Sequence, residues 1–315
     1  MGQSFRLCPC DSLFPRGNKA MPDPSFLLLQ SLNGLTYAMF LFLIASGLSL
    51  IFGILGILNF AHGSLYMLGA YFTQQFVSLF IDVPGQFWWA VVFASLTIAA
   101  LGAVIERFFL RHLYGREELY QLLFTYALVL ILADFAKIIW GTGQFSVSRP
   151  ALLKGAVSIL DQYFPTYNLV IIFLGPCLAF TFWFALLRTR WGRKIRAAAL
   201  DREMLSSLGV HVTRLFTVVF FIGAWMAGLG GALVSPVSAI VPGMDVEVII
   251  NAFIVVVIGG LGSFWGTFLG SLIVGQVYAL GILVFPRLSL AFIYVLMALV
   301  LIIRPWGLLG RPLQR

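Results

Sequence analysis

Residues 26–52 read FLLLQSLNGLTYAMFLFLIASGLSLIF, twenty-seven positions without one charged side chain. A helix of that length rises about 40 Å, more than the roughly 30 Å of a bilayer's hydrocarbon core. Backbone polar groups cannot be left bare in lipid, so only helices or a closed barrel cross it, and uninterrupted apolarity rather than strict alternation selects helices. Further stretches of the same kind follow at about 63–80, 87–109, 119–140, 168–187, 214–234, 264–285 and 288–303. The segment 248–261 is apolar but only fourteen residues long, and Gly259, Gly260 and Gly262 close it. It reads as a short broken helix or as part of a re-entrant element. The fold class is therefore all-α, a polytopic transmembrane helical bundle of eight or nine spans, one of them short or broken.

Composition agrees. Hydrophobic residues make up 61% of the 315-residue chain and charged residues 10%, against about 25% charged in soluble domains. The net charge of +8 would suggest nucleic acid in a soluble protein, but here the basic residues gather in particular connections, a pattern that reports orientation. Seven fall in 188–214 (Arg188, Arg190, Arg193, Lys194, Arg196, Arg202, Arg214), three in 107–116 (Arg107, Arg111, Arg116) and three in the C-terminal tail (Arg304, Arg311, Arg315). These face the cytoplasm. The connection 81–86 has no basic residue and 141–167 has only Arg149 and Lys154, so both face outward, as does 236–247 with its acidic pair Asp245 and Glu247. That pair reads as solvated surface or as a contact for an external partner. With the C-terminus inside, 248–303 needs an odd number of crossings, three if the short segment spans. The N-terminus then falls outside if the first two stretches both cross, and its basic residues oppose that.

Residues 1–25 read as a disordered tail, beginning MGQSFRLCPCDSLFPRGNKA, with no apolar core of a signal peptide. Met21 stands directly before the first span and is an alternative translation start. Cys8, Cys10 and Cys177 are too few for a four-ligand metal site or a disulfide framework. The sequence offers no catalytic set, no metal site and no cofactor motif.

Between the first two spans lies GILGILNFAHG (53–63). Irregular backbone at membrane depth is tolerated only where it is buried in protein or lines a watery path, and transporters place substrate at such breaks. Asn59, Phe60, His62 and Gly63 are the candidates for a substrate path. The alternative is a cytoplasmic turn in which Asn59 caps the next helix. His62 stands without a nearby acid, which favours a role in shaping the break over proton chemistry. In the fourth span Asp134 and Lys137 are three apart and can neutralise each other.

From Arg196 to Leu208 a helical face carries Ala197, Leu200, Met204 and Leu208, with Arg202, Glu203 and Ser206 turned away and Gly209 as C-terminal cap. Such a helix suits docking into a partner's groove or lying on an anionic leaflet. Gly262, Gly266 and Gly270 are spaced four apart and line one helix face for close packing. No Gly-rich loop is followed by Lys-Ser or Lys-Thr, so no P-loop is present.

LNGLTYA (32–38), IFGILGILNFAHG (51–63), GRKIRAAALDREMLSSLGV (192–210), VVVIGGLGSFWGTFLGSLIVG (255–275) and RPWGLLGRP (304–312) occur in this order. In these motifs the chain resembles the LivH-type permeases of branched-chain amino acid ABC transporters, over nearly all of 26–312. The resemblance implies one permease domain over 26–312 in the bacterial inner membrane. It implies a second, LivM-like permease subunit, two cytoplasmic ABC ATPase subunits, a periplasmic substrate-binding protein and an amino-acid substrate. It assigns the coupling of ATP hydrolysis to Ala197, Leu200, Asp201, Arg202, Glu203, Met204, Leu208 and Gly209.

Overall fold

The computed structural model describes residues 24–160 and 162–310. Nearly all of the expected tail, with Met21, and the last basic residues Arg311 and Arg315 lie outside them. Eleven α-helices form the described chain: α1 (Pro24–Leu55), α2 (Ala61–Leu79), α3 (Gln86–Phe108), α4 (Glu118–Trp140), α5 (Thr166–Arg188), α6 (Arg190–Leu200), α7 (Arg202–Ser207), α8 (Val212–Val234), α9 (Met244–Gly259), α10 (Phe264–Val284) and α11 (Ser289–Ile303). One antiparallel hairpin, β1 (Ala156–Ile159) with β2 (Gln162–Pro165), sits in the outer connection before α5. All nine expected apolar segments are helices. Six of them, α1, α3, α4, α5, α8 and α10, are long and apolar enough to cross a hydrocarbon core unaided, so the chain is a multi-pass membrane protein.

Helix α1 is the axis of the bundle. Its 32 residues rise about 48 Å, and it is apolar around its whole circumference, as a helix surrounded by protein must be. From Ala38 to Ser49 every residue is buried. Helix α10 runs antiparallel to it: Gly34 lies against Gly275 and Ala279, and Gly53 against the Cα of Gly262. Helix α8 is antiparallel as well, with Gly47 against Gly223 and Ser46 Oγ 3.8 Å from Met226 Sδ. Because α8 leaves the basic connection, the C-terminal end of α1 lies on the basic side and Pro24 at the opposite end.

Small residues set these spacings, since helix association in lipid depends on close van der Waals contact. A Cβ on Gly69 of α2 would stand 2.5 Å from the Gly228 carbonyl oxygen of α8, and one on Gly228 would stand 2.8 Å from Ile98 Cβ of α3. Where this seam opens outward, Tyr167 donates its hydroxyl to the Leu233 carbonyl at 2.6 Å. Polar anchoring at one end therefore complements backbone contact in the middle.

Helix α9 starts four residues earlier than the expected 248 and is unbroken to Gly259, where Gly260 (φ 103°) stops it. Its last carbonyls are not left bare. The C-terminal segment folds back so that Leu308 N–H donates to the Ile258 carbonyl at 2.8 Å and Leu309 N–H to that of Gly259 at 3.0 Å, satisfying acceptors that a helix end exposes.

The Gly69 contact is with backbone, which cannot rotate away. Gly69→Val is expected to cost about 1–3 kcal/mol, read as a lower thermal midpoint of the purified protein in detergent. An unchanged midpoint would show that the seam relaxes.

Candidate functional site

The break between α1 and α2 is shorter than 53–63. Gly53 is helical, only 56–60 is irregular, and His62 and Gly63 belong to the first turn of α2. Its path follows from two contacts. Arg202 Nη2 donates to the carbonyls of Ile54 and Leu55 at 3.1 and 2.9 Å, which fixes the end of α1 beside the basic connection. His62 Nε2 lies 3.1 Å from the Ile44 carbonyl, which is eleven residues before Leu55, the last residue of α1, or about 16 Å up the helix. The connection 56–60 and the reach of the His62 side chain together cover that distance. The stretch 56–60 is thus a strap climbing along α1, and Thr125 of α4 donates to the Leu58 carbonyl on the way at 3.3 Å. Helix α2 therefore begins inside the membrane. The cytoplasmic-turn reading is wrong, and so is the capping role of Asn59. The residue before α2 is Phe60, no side chain caps it, and both amide atoms of Asn59 are buried without a partner. The first amides are served locally, His62 N–H by the Asn59 carbonyl and Gly63 N–H by that of Phe60.

Helix α9 begins at the same depth. A Cβ on Gly63 would stand 2.5 Å from the Asp245 carbonyl oxygen and 2.8 Å from Ile249 Cβ. From this junction α2 runs outward to the start of α3, where Phe80 packs on Phe93, and α9 runs to the basic side. Two helix N-termini, each carrying about half a positive charge, thus lie side by side at mid-depth. Asp245, in the first turn of α9 and 1% exposed, accepts a 2.7 Å hydrogen bond from Ser64 in the first turn of α2. Asp245 is not a solvated loop residue. Its Oδ1 is buried without a hydrogen-bond partner, and the positive ends of the two helices it joins offset part of the cost of the buried carboxylate. Glu247, two residues on, is exposed.

His62 is fully buried against α1, and a Cβ on Gly47 would stand 2.9 Å from its Nε2. With Nε2 as donor to Ile44 it pins α2 to α1, in keeping with a shaping role. Asp134 and Lys137 do pair, at 2.9 Å, on an exposed face of α4.

On the basic side the expected single amphipathic helix 196–208 is two helices. Asp201 (φ −151°, ψ 107°) interrupts it and caps α7, its carboxylate accepting the Met204 N–H at 2.9 Å. The apolar positions still face outward: Leu200 is 80%, Met204 62% and Leu208 69% exposed, while Ala197 packs partly on the core. Gly209 (φ 78°) ends α7, with Gly209 N–H on the Ser206 carbonyl and Val210 N–H on that of Leu205. This is the paired bonding of a Schellman motif. Arg202 does not simply turn away. Besides reaching α1 it stacks over Phe216 at 5.1 Å, and Phe216 meets Tyr114 edge-on. Tyr114 donates to the buried Glu106 at 2.7 Å. Burial and the Glu106 carboxylate together push the Tyr114 phenol's pKa up.

Gly266 and Gly270 do line one face of α10, which lies against the backbone of α9 at Gly259 and Val255, but Gly262 (φ 75°) precedes the helix and packs on Gly53 of α1 instead. Between α1, α5, α6 and the start of α10 lies a cavity of about 270 Å³, whose walls include Ser46, Leu50, Trp183, Ile195 and Phe264.

Residues 30–301 match the model of the family described as branched-chain amino acid transport system / permease component. The chain belongs to this permease family. Across 93% of its length the permease is 32% identical to the high-affinity branched-chain amino acid transport system permease protein BraD of Pseudomonas aeruginosa, of which 98% is covered. It is 30% identical to LivH of Escherichia coli over 91% of this permease and 96% of LivH. It is 26% identical to the LivM permease of Salmonella typhimurium over 94% of this permease and 73% of LivM. As a family member it is a transport subunit rather than a catalyst.

Ser64 was not among the expected site residues, and the only available signal was its place four residues past the break. Arg202 was expected on the polar face of the coupling helix, not as a tie to the end of α1. Asp245→Ala removes a charged hydrogen-bond acceptor from the buried junction, which is expected to cost about 1.5–3 kcal/mol. Asp245→Asn, which keeps an acceptor for Ser64, should cost less. Thermal unfolding of the purified permease in detergent checks the order, and equal midpoints for the two variants would contradict it.

Proposed function

We propose that this permease is the membrane subunit of an ATP-binding-cassette importer for branched-chain or related amino acids in the bacterial inner membrane. In this reading it pairs with a second, LivM-like permease and is served by a periplasmic binding protein and two cytoplasmic ATPases. The observation that carries it is the similarity to BraD and LivH over nearly the whole of both chains. In this reading nucleotide binds to the ATPase subunits, in keeping with a sequence that carries no P-loop.

The exposed row Leu200, Met204 and Leu208 supports docking of an ATPase on α6 and α7, since three large apolar side chains held out from a basic surface suit a partner's groove. Asp201, Glu203 and Gly209 shape that element, and Arg202 ties it to the end of α1. A displacement of α7 therefore pulls on the base of the strap. Asn59, Phe60, His62 and Gly63 form the fixed wall behind the path instead of touching substrate, because Asn59 is 1% exposed and His62 fully covered. Gly266 and Gly270 hold α9 and α10 together as one unit. The competing reading of the sequence, an ion-coupled secondary transporter or channel for a small solute, draws no support from Asp134 and Lys137, which neutralise each other.

Replacing Leu200, Met204 or Leu208 by Asp should leave the permease in the membrane but lower co-purification of the ATPase subunits at least tenfold. Pull-down from solubilised membranes measures this, and wild-type retention would refute the docking face. Uptake by the reconstituted assembly should require ATP and stop with vanadate. Transport by the permease alone, driven by an ion gradient, would overturn the importer reading.

A further inference from the structure

Glu247 is the charged group that the bundle leaves unexplained. It lies in the first turn of α9 between Asp245 and Ile249, the two residues that touch Gly63 of α2. Its depth is therefore that of the buried junction, well inside the membrane. Yet it is exposed, and among the described residues the one ion pair is Asp134–Lys137. A free carboxylate at this depth is costly against lipid, and such groups face a bundle interior or a water-filled cavity.

Its surroundings come from three helices. One turn along α9, Asn251 is buried and donates its side-chain amide to the Tyr37 hydroxyl at 3.2 Å. Tyr37 of α1 lies against Tyr278 of α10, with ring centroids 4.7 Å apart. Tyr37 and Tyr278 are each half-buried. To one side of Glu247, α9 exposes Val246 and Ile250.

Resting on the importer reading, we propose that Glu247, with Tyr37 and Tyr278 one turn along, binds the ammonium group of the transported amino acid on its way across, with Val246 and Ile250 against its aliphatic side chain. A carboxylate supplies the counter-charge, and phenol rings attract a cation through their faces. Tyr37 Oη accepts from Asn251, which leaves its own proton free to donate to an oxygen of the same ligand. Proximity to a carboxylate disfavours a bound anion, so the site selects a cationic head with an apolar tail.

The test uses the assembled importer with its binding protein in proteoliposomes and radiolabelled leucine as probe. Glu247→Gln should lower ATP-driven uptake at least tenfold, with Glu247→Asp keeping at least a third of wild-type uptake. In a background with Cys8, Cys10 and Cys177 changed to Ser, Glu247→Cys should react with a membrane-impermeant cationic thiol reagent added outside. Wild-type uptake by Glu247→Gln, or no labelling of Glu247→Cys, would overturn the inference and leave the importer reading standing. If Glu247→Gln and Glu247→Asp both fail to assemble, the carboxylate is structural and the inference falls. If the wild-type assembly imports no aliphatic amino acid, both readings fall.

Discussion

One carboxylate holds the junction on which the architecture depends. Two helices of less than full span begin at the same depth, and their N-terminal dipoles present about one unit of positive charge between them. Asp245 supplies one negative charge there, and Ser64 ties it to the neighbouring helix at 2.7 Å. Without that charge the positive ends would repel in a medium that screens little. The contrast with the basic side is informative. There Thr189, Asp201 and Ser263 cap α6, α7 and α10 in the ordinary way, whereas the two deep helices have no side-chain cap. At depth, one shared anion and bonds within the chain replace individual caps.

Towards α1 and α8 the junction is packed to keep it dry. Helix α1 forms its back wall, and α8 approaches through Gly223 and Gly228 closely enough that no side chain separates the backbones. The strap 56–60 fits only because the surrounding protein shields it from lipid. The C-terminal return over the end of α9 seals the opposite pole of that helix by backbone bonds to Ile258 and Gly259. Glycine seams, strap and return are three answers to one constraint, namely that a peptide group in hydrocarbon needs a partner.

Most of the fold was legible in the sequence because helices in lipid need long apolar runs, and such runs are hard to mistake. The outward row Leu200, Met204 and Leu208 was legible for the same reason, since a period of 3.6 survives a local kink. The kink at Asp201 was not, because an acid at the centre of an amphipathic pattern looks the same whether it rides on a helix or caps a new one. The pair Asp245 and Glu247 was misread as one feature. Spacing places them on different faces of a helix, but only the contact of Gly63 with Asp245 shows that this helix begins below the surface. Gly262 kept the four-residue rhythm of Gly266 and Gly270 while lying outside their helix, since periodicity does not report where a helix starts.

Helix α1 is about 48 Å long, and a bilayer core is about 30 Å thick. Tilting alone would require an angle of roughly 50°, beyond the 0–40° found for membrane helices. The outer turns, with Phe26, Leu27 and Leu28 uncovered, therefore stand in the interfacial layer on the side away from the basic connections. One stiff rod thus touches the Arg202 side chain at its base and the lipid headgroups at its tip. Membrane thickness becomes a mechanical load on the same element that forms the back wall of the junction.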